Sequence, residues 1–182
     1  MTVLDVQEGV FSWESSSPGE TERMGEMLGS RLCPGDLVAC FGELGSGKTV
    51  LVRGIAAGMG CSRSNVHSPS FTLVNEYPCR AAGAEGSGRQ SGVRLIHVDL
   101  YRIQSDEELP GIGWDAVVHS RDIVVVEWAD RAIRWLPRDH VRVSLETLGE
   151  DRRRLRAQGV GPRSGHLVLG WVKAGDFTLE RA

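Results

Sequence analysis

Apolar residues along this chain fall into two kinds of run. Met24, Met27, Leu28 and Leu32 recur at helical spacing and predict a helix over 20–32, stopped by Cys33-Pro34-Gly35-Asp36. Leu37-Val38-Ala39-Cys40-Phe41 is instead continuous, short and apolar, as expected of a strand covered on both faces. Val50, Leu51, Ile55 and Ala56 restore the helical period over 49–58, and Gly58-Met59-Gly60 ends that helix. Alternation over 71–77 predicts a strand, and a second strand over 93–98 runs into Asp99. Pro110-Gly111 closes a short helix over 106–109, with another expected at 114–119. Ile123-Val124-Val125-Val126 is the most β-branched run and ends in Glu127-Trp128, with helical character at 129–135 up to Pro137. The segments 140–145, 152–160 and 166–172 are expected as strands of an antiparallel extension. Between the strands, 80–92 is rich in Gly, Ala and Ser with little to bury, which predicts a mobile loop.

Strands alternating with helices around a glycine-rich turn give an α/β fold. The expectation is one P-loop NTPase-type domain over 1–182, with a largely parallel central sheet flanked by helices and antiparallel strands towards the C-terminus. At 182 residues the chain can bury one continuous core. No run approaches the roughly 18 apolar residues of a membrane span, and the first residues lack a secretory pattern, so a soluble, cytoplasmic protein is expected. A net charge of −3 supplies no overall field towards nucleic acid. Cys33, Cys40, Cys61 and Cys79 show neither zinc nor C-x-x-C spacing; they are expected to be reduced, with Cys40 a core residue. Only Lys48 and Lys173 are lysines, and Lys48 falls in the one loop that requires a lysine.

That loop is Gly42-Glu43-Leu44-Gly45-Ser46-Gly47-Lys48-Thr49, followed by Val50. It matches G-x-x-x-x-G-K-[ST] with a strand before and a helix after, the context that gives the pattern physical meaning. Gly42, Gly45 and Gly47 permit backbone conformations closed to other residues. Successive N–H groups then point into one concavity, to which the first helical turn adds its unsatisfied donors. Lys48 supplies a point charge for terminal phosphates, and the Thr49 hydroxyl can ligate magnesium. A nucleoside triphosphate with magnesium is the expected cofactor pair, and the lack of an N-K-x-D segment favours ATP over GTP. A second carboxylate should stand at the end of a neighbouring strand, and both Asp99 and Glu127 qualify. These residues alone also fit a small-molecule or nucleoside kinase, or a nucleotide-dependent switch that does not hydrolyse.

The phosphate loop, Arg53-Gly54, the run from Ser68 to Tyr77 (SPSFTLVNEY), the run from His97 to Arg102 (HVDLYR) and Val126-Glu127-Trp128 occur in the order and rough spacing of the TsaE (YjeE) family, which the chain resembles from about 21 to about 137. The resemblance implies an accessory ATPase required for the threonylcarbamoyl group on adenosine 37 of tRNAs reading ANN codons. It implies slow ATPase activity alone, TsaD and TsaB as protein partners whose complex is driven through its cycle, and contact with tRNA only through that complex. It assigns Thr49 and Glu127 as magnesium ligands, Asp99 as a residue needed for hydrolysis, and Lys48 with the loop amides as the phosphate cradle. Trp128 would pack beside the nucleotide, the 68–77 segment would be a switch-like loop, and the start of the first helix near Glu20 and Thr21 would border the adenine. Glu43 stands where the family usually has Asp, Ser46 where it has Ala, and Ser70 where Thr is commoner; 80–92 is longer than usual. His97 is read as a structural residue at a strand end, and Arg152 to Arg156 as a solvated run with a direct RNA contact as the lesser reading.

Overall fold

In the computed structural model, which describes residues 2–7, 9–62, 66–79, 93–174 and 178–179, the chain begins with β1 (Thr2–Gln7), β2 (Val10–Ser15) and α1 (Pro18–Gly29). β3 (Leu37–Phe41), α2 (Lys48–Gly58), β4 (Val74–Pro78) and β5 (Arg94–Asp99) follow. A 3-10 segment at Asp106–Ile112 and the short helix α3 (Trp114–Val118) lead to β6 (Ile123–Glu127) and a second 3-10 stretch, Ala129–Trp135. β7 (Val141–Thr147), β8 (Arg153–Gly159), α4 (Pro162–Ala174) and β9 (Thr178–Leu179) come last. The glycine-rich stretch 80–92 lies outside the described residues.

The strands form one mixed sheet in the order β4-β5-β6-β3-β7-β8-β2-β1-β9. β5, β6, β3 and β7 are mutually parallel and make the centre; β4 is antiparallel at one edge, and β8, β2 and β1 continue antiparallel on the other side. The continuous apolar runs of β3 and β6 are buried at every position, because helices cover one face and the two 3-10 segments the other. Alternate residues divide between two cores: Val38, Cys40 and Val125 face α1, α2 and α4, whereas Leu37, Ala39, Val124 and Val126 face Leu109, Trp114 and Ala132.

α1 and α2 pack with their backbones in contact. A Cβ on Gly25 or Gly29 would lie inside the α2 backbone at Leu51 or Ile55, and one on Gly54 or Gly58 inside the α1 backbone at Glu22 or Glu26. α1 starts earlier than its apolar spacing suggests, because Ser17 caps it and Pro18 takes the first turn. The Ser17 hydroxyl accepts from the Glu20 amide at 3.2 Å, and the Glu20 carboxylate accepts from the Ser16 amide at 2.7 Å. That bond to Ser16 holds the Glu20 carboxyl below its ordinary range.

The structure overturns some sequence expectations: the segment from Asp106 is not closed by Pro110-Gly111 but runs as a 3-10 helix to Ile112. Residues 166–172 belong to helix α4, not to a strand: Ser164, Leu167, Val168, Trp171 and Val172 are buried at helical spacing behind Pro162. Trp171 meets Trp13 of β2 edge to face at 4.9 Å and donates to the Met24 carbonyl, so α4 closes over the joint between sheet and α1. Cys61 and Cys79, expected to be reduced, form a disulfide that joins the chain just after α2 to the end of β4. Their separation of 18 residues hid the pairing, because the two cysteines meet only when the chain after α2 and the end of β4 come together. Cys40 is free and buried, as expected, and Cys33 is free and exposed. Among the described residues no helix is long and apolar enough to cross a membrane.

Candidate functional site

β3 ends at Phe41 and α2 starts at Lys48, so the loop between them sits at the C-terminal edge of the parallel block, where open α/β sheets bind ligands. Gly42, Gly45 and Gly47 have φ of 140°, 77° and 99°, conformations that side chains strongly disfavour. A Cβ on Gly42 would also strike the Leu145 carbonyl. Gly47 caps α2 with no side chain bonded to the first turn, which leaves that turn's N–H groups available to an anion. Glu43 and Leu44 are exposed on the outer loop, Ser46 is buried within it, and Val50 is half-buried in the first turn.

Lys48 is buried, and its Nζ donates to the carbonyls of Gly42 at 2.7 Å and Glu43 at 2.9 Å while lying 4.0 Å from the centre of the Trp128 ring. Burial lowers the Lys48 pKa, and the nearby Glu127 carboxylate opposes that shift. Trp128 has a left-handed φ of 58°, which swings its indole from the end of β6 over Lys48 and against Tyr101 at 5.1 Å.

Asp99 and Glu127 are register partners at the ends of β5 and β6 and are both buried. Glu127 accepts the Thr49 hydroxyl through both oxygens, at 2.8 and 3.1 Å. Asp99 accepts from the Ser68 hydroxyl at 2.5 Å and from the Tyr101 amide at 2.9 Å. The two strand-end acids therefore divide the site: Glu127 stands on Thr49, and Asp99 on the 66–73 loop. In that loop Leu73 has φ 64° and Phe71 is 83% exposed beneath the Arg102 guanidinium at 4.4 Å. Thr21 is buried with its hydroxyl on Ser15 at 2.6 Å, inside the β2–α1 joint.

A hydroxyl and one carboxylate placed together beside a lysine are donors of the kind magnesium uses, since it keeps several waters and takes few protein ligands. Among the described residues no group of three or more His, Cys, Asp or Glu is placed to hold a metal ion.

Two residues of the site were not singled out for it by the sequence. His97 was read as structural; it is fully buried, and its Nε2 lies 2.9 Å from Glu127 Oε1. The H-x-D spacing carried the signal, because period two sets His97 and Asp99 on one face of β5. Arg153 carried none. Its Nε donates to the Ser46 carbonyl at 3.1 Å and its Nη2 to Gly45 at 3.2 Å, across 107 and 108 residues, while Nη1 holds the carbonyls of Gly149, Glu150 and Arg152. Its neighbours differ: Arg152 and Arg154 pair with Glu14 of β2, and Arg154 and Arg156 with Glu146 of β7.

The sequence model of the family described as "Threonylcarbamoyl adenosine biosynthesis protein TsaE" matches residues 15–155. The chain is 30% identical over 153 residues to the tRNA threonylcarbamoyladenosine biosynthesis protein TsaE of Bacillus subtilis, covering 84% of this chain and 88% of that one. It is 33% identical over 141 residues to the protein of the same name from Treponema pallidum, covering 78% and 95%. The crystal structure of YdiB from Bacillus subtilis superposes with a TM-score of 0.69 at 26% identity, covering 90% of this chain and 95% of that one.

Proposed function

The chain belongs to the threonylcarbamoyl adenosine biosynthesis protein TsaE family, and from that premise we propose that it is a cytoplasmic, magnesium-dependent ATPase of tRNA threonylcarbamoyladenosine biosynthesis. The observation that carries the ATPase reading is the Thr49–Glu127 contact, set beside Lys48 and the uncapped first turn of α2. The loop amides of 42–49 receive the phosphates, and Lys48 leaves the Gly42 and Glu43 carbonyls for the terminal phosphate oxygens. Thr49 and Glu127 hold the metal, which when bound offsets charge on those oxygens. Asp99, buried at the adjacent strand end, orients a water towards the γ-phosphorus. Water adds to phosphorus and gives up a proton to a phosphate oxygen, the bond to the β–γ bridging oxygen breaks, and ADP leaves with that electron pair. Ser68 ties this acid to the 66–73 loop, so the loop senses what occupies the γ-phosphate position.

In this reading the whole of 1–182 acts as one accessory domain. It works with TsaD and TsaB, meets tRNA through their complex, and serves the threonylcarbamoyl group on adenosine 37 of tRNAs reading ANN codons. Phosphate release by the purified chain with ATP and magnesium is the direct test. Lys48→Ala and Glu127→Ala should each lower it at least a hundredfold, in keeping with the loss of a group that stabilises transition-state charge. Turnover that depends on an added phosphoryl acceptor would replace this reading with a kinase. Failure to capture a TsaD–TsaB pair with ATP present would remove the biological assignment and leave the ATPase intact.

A further inference from the structure

We propose that His97 is a positioning residue for the metal-side acid: it donates from Nε2 to Glu127 and so fixes the carboxylate face presented to the cation, an inference that rests on the magnesium-ATPase reading above. The two side chains come from neighbouring parallel strands, with His97 opposite Val125 and Glu127 one step further along the same face of β6. His97 Nε2 and Thr49 Oγ1 converge on the same oxygen, Oε1, at 2.9 and 2.8 Å, while Oε2 meets Thr49 alone at 3.1 Å. Two donors on one oxygen hold the carboxylate plane in place. When the Thr49 hydroxyl turns to a cation, the bond from His97 is the one that remains. Ligating carboxylates that keep a hydrogen bond behind them bind metal more tightly than those that must be ordered on binding.

The other nitrogen gives the second line of argument. Nδ1 is buried and is the one such side-chain atom without a hydrogen-bond partner among the described residues. The ring is set among apolar neighbours, Leu95 on its own strand and Val125 opposite it on β6. With no acceptor at Nδ1, the ring proton belongs at Nε2, where a carboxylate faces it. The hydrogen bond to Glu127 is thus the polar contact of the ring, which also lies 6.5 Å from the Tyr77 ring, centre to centre.

The test compares His97→Gln with His97→Asn. A glutamine amide N–H reaches close to the position of Nε2, whereas asparagine reaches only that of Nδ1. Binding of a non-hydrolysable ATP analogue is titrated with and without magnesium, and manganese binding is followed by its spin-resonance signal. His97→Asn should raise the metal concentration for half-saturation at least tenfold, the scale seen when an outer partner of a metal ligand is lost. Its metal-free nucleotide affinity should stay within about twofold of the wild type, and His97→Gln should recover most of the metal affinity. Equal metal half-saturation for Asn, Gln and wild type overturns the proposal. So does a loss in His97→Asn that is as large without metal as with it, which marks a general disturbance of the site. If wild-type nucleotide binding ignores metal altogether, the magnesium-ATPase reading fails first and this inference with it.

Discussion

A phosphate loop turns its amides inward and leaves its carbonyls facing out, where their partial negative charge has to be met by donors. Here the Arg153 guanidinium meets two of them, at Gly45 and Ser46, with the planar fork that a lysine cannot reproduce. Hydrogen bonds to a charged group contribute about 1.5–3 kcal/mol each when removal leaves the partner unmet, and part-exposure reduces that. Arg153→Ala should therefore weaken nucleotide binding by about tenfold, equivalent to about 1.4 kcal/mol, read by titration with a fluorescent ATP analogue. Arg153→Lys should recover only part of the loss. The phosphate loop, Asp99 and Glu127 were legible because each lies in or beside a local pattern: a glycine spacing, or an acid after an apolar run. Arg153 was not legible, because what singles it out from Arg152 and Arg154 is a contact with a loop more than a hundred residues away.

At the scale of elements, the helix that begins at Lys48 cannot move without α1. Gly25, Gly29, Gly54 and Gly58 bring the two backbones so close that an added methyl at any of them has no space. Gly54→Ala should destabilise the protein by about 3 kcal/mol, the upper end for overpacking a core, and lower its thermal midpoint. If the melting temperature is unchanged, the close packing of α1 on α2 is refuted. Gly25 and Gly29 fall within a helix predicted from Met24, Met27, Leu28 and Leu32, so the helix was legible while the reason for its glycines was not. Period also explains the error in α4. His-Leu-Val-Leu-Gly-Trp-Val reads as a strand over seven residues, and only the wider frame from Ser164 to Val172 shows the helical face. β2 went unread because Phe11, Ser12 and Trp13 are all buried, leaving no alternation to see.

Across the whole molecule, the sheet divides the work. The parallel block of β5, β6, β3 and β7 carries the charged centre at one edge, and the antiparallel strands β8, β2 and β1 extend the sheet on the other side. The parallel half follows from its apolar runs, which allow little else than a sheet covered on both sides. In the antiparallel half β8 was expected over 152–160, whereas its pairing with β2, which sets Glu14 against Arg152 and Arg154, joins positions so far apart in sequence that no local window discloses it. The disulfide belongs to this scale too, since it links two elements that only the finished sheet brings together.

That bond turns the stretch from Cys61 to Cys79 into a hoop of covalent chain, and Ser68, the partner of Asp99, is threaded on it. A hoop of this size is worth roughly 3 kcal/mol against the unfolded chain, so reduction should lower the thermal midpoint by several degrees, measured by calorimetry with and without dithiothreitol. A hoop also changes what a cut means. A protease that nicks the exposed Phe71 leaves one molecule on a non-reducing gel and two fragments once the reductant is added, and two fragments without it would show that the hoop is open.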